Sequence, residues 1–162
     1  KQVSFTDFAP YEPKGNVPAA FIAKGVKISN SLLDKTNQTS WTNLGSQLVV
    51  ALQLSDSTLN EVMLQRTGLG ETGESYLVGP DLKLRTSTRD PNRNLASSLS
   101  GEVSLNGADT EPVRLALAGQ SDTGLYQNYN GDWVLASFSP VNVHDQTWAL
   151  ITEIQALSLI HI

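Results

Sequence analysis

The sequence predicts a mixed α+β fold in which one antiparallel sheet with helices follows a smaller, partial sheet. Three observations carry the prediction. Short runs rich in Val, Ile, Phe and Ala recur between Gly, Pro, Asn and Ser, as strands do between turns. Two stretches show the three- and four-residue spacing and the end signals of helices. In the last two strands apolar side chains alternate onto both faces, so neither face of that sheet is open to water. The 162 residues are 40% hydrophobic, which suits one compact domain, or one domain and part of another. A chain of this size hides roughly two-thirds of its unfolded surface and folds without a disulfide or metal staple.

In chain order, residues 3–8, 19–28 and 47–54 read as three strands, with a polar loop over 29–45. A connector helix follows, with Asp56 or Ser57 as N-cap, Leu59, Val62, Met63 and Arg66 at helical spacing, and Gly68 in the left-handed position at its end. Residues 75–79 and 82–87 read as a hairpin turned by Pro80-Asp81, since proline presets one dihedral and aspartate bonds back to the backbone. Thr110 caps a short helix with Pro112 in its first turn, Val113, Leu115, Ala116 and Leu117 inside, and Gly119 beyond. Residues 124–129 and 132–139 pair through Asn130-Gly131, a two-residue turn signal because both positions need positive φ. The last strand, 148–154, follows a loop holding Pro140 and His144.

Several function classes fall away. With no cysteine there is no disulfide framework, no Cys-ligated metal or cluster, and no thiol nucleophile. A formal charge of -5 argues against nucleic acid, whose phosphates need a basic footprint. No apolar run approaches the ~20 residues that span a bilayer. The chain opens at Lys1 without a methionine or signal-peptide core, which reads as a piece of something longer, and the apolar tail after Ala156 as an exit segment or an added remnant. Gly68, Gly70 and Gly73 spell G-x-G-x-x-G, but they follow a helix and lead into a strand, the reverse of a dinucleotide site, so they read as a helix stop and a tight turn. His144 and His161 lack acidic neighbours at metal-ligand spacing, and no serine sits in a nucleophile elbow. Asn37-Gln38-Thr39 matches a glycosylation sequon by chance. No cofactor, metal or enzyme activity is expected.

From residue 75 the order is strand, strand, helical middle, strand, strand, strand, that of a PAS-like domain whose five-stranded antiparallel sheet encloses a ligand under its helices. The stretch Gly68-Leu-Gly-Glu-Thr-Gly-Glu-Ser-Tyr-Leu-Val-Gly-Pro-Asp81, followed by Leu84-Arg-Thr-Ser-Thr-Arg89, resembles the Cache sensor domains of bacterial chemoreceptors, histidine kinases and nucleotide cyclases. Upstream, Phe5-Thr-Asp-Phe-Ala-Pro-Tyr11, Pro18-Ala-Ala-Phe-Ile-Ala23 and Val50-Ala-Leu-Gln-Leu54 are similar to the last three strands of a membrane-distal lobe. Downstream, Tyr129-Asn-Gly-Asp-Trp-Val-Leu-Ala136 and Trp148-Ala-Leu-Ile-Thr-Glu-Ile154 are similar to the closing half of a membrane-proximal lobe. The departures are a long 29–45 loop, no glycine after Asp81, and Thr86-Ser87-Thr88 where an acidic residue is common. The division expected is a three-strand remnant of the distal lobe (1–55), a connector helix (56–67), the PAS-like Cache domain (68–156) and a tail (157–162).

The resemblance implies the periplasmic ligand-sensing domain of a transmembrane chemotaxis receptor, homodimeric in the full protein, whose partner is a small molecule or a periplasmic binding protein. The same sensor on a histidine kinase or cyclase is the alternative, and only the sequence beyond Ile162 separates the two; a small α+β enzyme lacks a catalytic constellation. On a straight strand Asp81, Lys83, Arg85, Ser87 and Arg89 share one face. The plain reading of that face is a solvated, charged surface; the functional reading has Arg85 closing on an anionic or zwitterionic ligand, since guanidinium offers carboxylate a planar fork. The ligand set expected is Tyr76, Arg85, Arg89, Tyr126, Trp133 and Ser137, with Phe138 and Trp148 as core. Arg85→Ala would then weaken binding by roughly 1.5 to 3 kcal/mol and leave the melting of the free protein nearly unchanged.

Overall fold

The computed structural model describes residues 3–27, 47–65, 67–89 and 107–156. Their order is β1 (Val3–Tyr11), a 3-10 turn (Glu12–Lys14), β2 (Val17–Lys27), β3 (Gln47–Ser55), α1 (Asp56–Met63), β4 (Glu74–Val78), α2 (Glu111–Leu117), β5 (Asp122–Gln127), β6 (Trp133–Val143) and β7 (Gln146–Gln155). The strands form two antiparallel sheets, β1-β2-β3 and β4-β7-β6-β5. This is the α+β architecture expected, with a smaller sheet ahead of a larger one.

The larger sheet has four strands among the described residues instead of five, because residues 82–87 leave β4 after a single bridge, Val78 to Leu84. Leu82 turns left-handed at φ 60, where its N–H donates to the Gly79 carbonyl. Past the bridge the Arg85 N–H still reaches the Leu77 carbonyl, but the Leu77 N–H is taken by the Thr86 hydroxyl at 3.0 Å, and a side chain ends the ladder. The shared face from Asp81 to Arg89 therefore does not exist: Arg85 is buried, while Asp81 and Ser87 are exposed.

Local chemistry explains the remaining boundaries. α1 starts after Ser55, whose hydroxyl bonds those of Ser57 and Thr58, while Asp56 accepts from the Ser57 N–H. It ends at Met63, ahead of Gly68, and Arg66 lies outside the described residues. Gly68 and Gly70 take φ 87 and 62, and Gly73 donates to the Leu69 carbonyl at 3.0 Å. A Cβ on Gly73 would stand 2.2 Å from that oxygen, so the three glycines form the tight turn into β4. α2 closes at Gly119, φ 85, with Gln120 donating back to the Leu115 carbonyl. The loop expected around Pro140 shrinks to His144-Asp145, because β6 continues through Pro140. That proline is tolerated where β5 pairing has ended at Phe138 and β6 is an edge on one side.

The larger sheet is covered on both faces, which accounts for the apolar alternation. On one, Tyr76, Val78, Phe138, Ala149 and Ile151 pack under Val113 and Ala116 of α2, with Leu84 and Ala108. On the other, Leu77 and Trp148 meet Phe5, Phe8 and Ala20 of the smaller sheet, flanked by Leu54, Leu59 and Met63. Phe5, Phe8, Leu59 and Met63 thus belong to this interface. Val49, Leu52 and Val62 do not, being 67%, 67% and 54% exposed. The sheets meet at the Ala20–Leu54 end of the β2–β3 ladder, and the Ile22–Leu52, Lys24–Val50 and Val26–Leu48 pairs lie beyond it.

Candidate functional site

Strand β5, the loop over 128–132 and the segment entering α2 border an open groove of about 620 Å³. Tyr126, Tyr129, Trp133, Asn128, Asp109 and Glu111 are among its lining residues. Its loop is not the two-residue Asn-Gly turn the sequence suggested. Only Gly131 has positive φ, at 81, and the turn closes with Gly131 donating to the Asn128 carbonyl and Asn128 donating to the Asp132 carbonyl. The Asn128 side chain causes this: its Oδ1 accepts from the N–H groups of Asn130 and Asp132, each at 3.0 Å. Gly124 leaves room for Tyr126, whose ring a Cβ there would approach to 3.1 Å, and Tyr126 packs edge-on against Phe138 with centroids 5.6 Å apart. Burial, then the Asp122 and Glu111 charges, raises the Tyr126 hydroxyl above its usual range.

Next to the groove a buried polar cluster sits on the face that carries α2. Glu74 and Glu153 are opposite each other on β4 and β7, and both are buried. Tyr76 donates to Glu153 at 2.9 Å, Asn128 donates to the other Glu153 oxygen at 3.0 Å, and Tyr129 donates to Glu74. Tyr129 also packs edge-on against Tyr76 at 5.7 Å. Burial first, and then the Glu153 charge, pushes the Tyr76 hydroxyl well above its ordinary value. Nothing local in the sequence signals that these carboxylates face inward.

Arg85 lies elsewhere, at the junction of the two sheets. Its Nε and Nη2 donate to the two oxygens of Asp7 at 3.0 and 2.8 Å, a bidentate pair reaching β1. Nη1 donates to the Lys83 carbonyl at 3.0 Å and stands 2.9 Å from Asp81. The guanidinium carbon is 6.0 Å from the centre of the Trp148 ring, and the Trp148 indole N–H donates to Asp7 at 3.3 Å. Burial opposes the Arg85 charge, and the bonds to Asp7 and Asp81 outweigh it. A Cβ on Gly79 would fall 2.1 Å from the guanidinium, so alanine there would push the Arg85 side chain from this seat.

Of the residues expected to bind ligand, Tyr126 and Trp133 both border the groove, with side chains that the β5-β6 register turns to opposite faces of the sheet, and Tyr76 lies in the polar cluster. Arg85 is not among the residues that line the groove, and its fork is filled by Asp7. Arg89 uses its backbone N–H to reach Glu74 at 3.0 Å, and its side chain reaches the Gly73 carbonyl. Ser137 is exposed on the face of β6 turned away from Phe138, the face that strand alternation also gives to Trp133, and accepts from Thr123 at 3.0 Å. Asn128, Tyr129, Asp109 and Glu111 were missed because they read as turn and helix-start residues. Among the described residues no three His, Asp or Glu side chains gather as a metal site. His144 caps an exposed turn beside Asp145, and His161 lies outside the described residues.

No family model and no curated protein matches the chain in sequence. Solved structures do match it in fold. The periplasmic sensory domain of the Campylobacter jejuni chemoreceptor Tlp1 superposes with a TM-score of 0.64 and 16% identity, covering 99% of this chain and 51% of that one. The ligand-binding domain of the Pseudomonas fluorescens chemoreceptor CtaA, in complex with L-leucine, gives 0.55 and 14%, covering 99% and 56%. That of the Pseudomonas aeruginosa PAO1 amino acid chemoreceptor PctB, in complex with L-Arg, gives 0.54 and 18%, covering 99% and 57%. The chain therefore has the fold of chemoreceptor periplasmic sensory domains, the Cache-like fold that residues 68–89 resembled. It spans about half the length of each of these domains.

Proposed function

We propose that the chain is part of the periplasmic ligand-sensing region of a transmembrane chemotaxis receptor, and that the groove beside β5 takes a small molecule. The observation that carries the reading is the match of nearly the whole chain to sensory domains, joined to an open groove of aromatic and polar residues whose walls are fixed by their own bonds. CtaA and PctB hold single amino acids, which supports a ligand of that size. No helix among the described residues is long and apolar enough to cross a membrane. Ligand occupancy biases the arrangement at the membrane-proximal end and resets the cytoplasmic domain. A kinase or cyclase output would be told from a chemotaxis one by catalytic motifs in the sequence beyond residue 162, and a binding protein from a small molecule by the size of the captured partner.

A thermal-shift screen against amino acids, organic acids, amines and nucleobases tests the reading, since a ligand bound only by the folded state stabilises it by about 2.7 kcal/mol at a hundredfold excess over Kd. At least one class should raise the melting temperature saturably. A flat screen together with catalytic turnover that tracks a single point mutation would sink the proposal.

A further inference from the structure

We infer that Glu153 is a positioning residue for the groove: through Asn128 it holds the 128–132 loop that forms one wall, without itself lining the cavity. The inference rests on the sensing role proposed above and names a residue that shapes its site. Two layers of bonding build the wall. The inner layer centres on Asn128, whose Oδ1 takes the N–H groups of Asn130 and Asp132 while its carbonyl takes that of Gly131. Three successive amides thus close on one residue, and the loop travels with that side chain. The outer layer fixes where it rests. The Asn128 amide donates at 3.0 Å to one oxygen of Glu153, and both residues are buried. The other Glu153 oxygen accepts from Tyr76 at 2.9 Å.

The two ends of the Asn128–Glu153 bond differ in how far they can move. Glu153 stands on β7 between two neighbours, opposite Glu74 on one side and Ala136 on the other. Its backbone cannot shift without breaking ladder bonds to β4 or β6. Asn128 lies just past the last β5–β6 pair, Gln127 with Trp133, at the start of a turn that closes on Gly131. The strand is the fixed partner, so the bond draws the loop to the carboxylate. Tyr129 is drawn the same way, since its hydroxyl donates to Glu74 and its ring packs on Tyr76. Asn128, Tyr129 and Gly131 all line the groove, so its width on this side is set by groups behind the wall. A wall held before binding loses little freedom when a ligand arrives.

The bond has a direction that substitution can reverse. Asn128→Asp keeps an acceptor for the loop amides but sets a second carboxylate against Glu153 in a buried place. Adding Glu153→Gln restores a donor and an acceptor in the opposite sense and leaves an oxygen for Tyr76. Amide hydrogen exchange on the full chain, followed by NMR, reads the outcome without any ligand. Asn128→Asp should speed exchange at Asn130, Gly131 and Asp132 about tenfold and leave Ile151 unchanged, and the double variant should restore the slow rates. Glu153→Leu removes the acceptor without adding charge; it should loosen the same amides, and it carries the comparison if Asn128→Asp does not fold. Any amino acid, organic acid, amine or nucleobase that the thermal-shift screen finds to bind should lose affinity severalfold in Asn128→Asp and regain it in the double variant. Loop exchange unchanged by both single substitutions, or loosened and not restored by the double variant, would overturn the inference, because the loop then stands on its own bonds. Exchange that follows Glu153 while the affinity does not would show that the ligand sits elsewhere and overturn the positioning role. A flat screen removes the sensing role, and the exchange rates still decide what holds the wall.

Discussion

Arg85 joins surfaces 78 positions apart in the chain, and its side chain is only 3% exposed. Removing one partner of such a pair leaves a buried charge behind, so Arg85→Ala and Asp7→Ala should each cost about 3–5 kcal/mol in urea unfolding. That replaces the sequence-based expectation of unchanged melting, which assumed an arginine turned toward a ligand. Gly79→Ala should also destabilise, by about 1–3 kcal/mol. Because the new methyl collides with the guanidinium, its cost should shrink in the Arg85→Ala background, a coupling that a double-mutant cycle measures. Tyr76 yields a pH prediction. Its folded pKa lies above the unfolded value of about 10, so the unfolded chain loses the proton first, and its contribution is intact below pH ~10. Above that, stability should fall by about 1.4 kcal/mol per pH unit until the folded pKa is passed. Tyr76→Phe should lower stability at neutral pH, by removing one of the hydrogen bonds to the buried Glu153, and remove most of that alkaline slope in urea melts between pH 8 and 11. Of the ligand set read from the sequence, only Tyr126 and Trp133 border the groove, as aromatics flanking the 128–132 turn. The Asp7–Arg85 and Tyr76–Glu153 contacts come from chain segments that only the tertiary fold brings together.

At the scale of elements, most strands were legible because Gly, Pro and Asn punctuate them and their apolar residues alternate. The exception is instructive: residues 82–87 alternate as a strand should, yet Leu82 takes a left-handed conformation that a branched residue seldom adopts. The Thr86 hydroxyl then occupies the amide that a strand would have paired. Helix ends were read less well, since α1 stops before the glycine that seemed to end it. The covered second face also bears on how the chain divides. A chain spanning residues 56–156 keeps the core under α2 intact but uncovers Leu77 and Trp148 and leaves Arg85 without Asp7. We expect it to fold with a lower urea midpoint and red-shifted Trp148 emission. A coil-like circular dichroism spectrum would show instead that the two sheets are one indivisible unit.

At the scale of the molecule, two sheets of unequal completeness share one interface, and the groove opens on the side away from it. The larger sheet is covered by α2 and by its neighbour, whereas the smaller one rests on that neighbour at one end only. Its far end carries Leu48, Val49, Val50 and Leu52, between 51% and 67% exposed, on a strand that has no partner on its outer side among the described residues. Unpaired amides beside β-branched, uncharged side chains are a template on which another copy can add a strand, the first step toward a cross-β fibre. The isolated chain should therefore gain light scattering and thioflavin fluorescence as concentration and time increase. A charge placed on that edge, Val50→Lys or Leu52→Lys, should suppress both while leaving the four-stranded sheet untouched. The part of the protein that looks least finished would then set its shelf life in the test tube, a colloidal property governed by one strand and independent of any ligand.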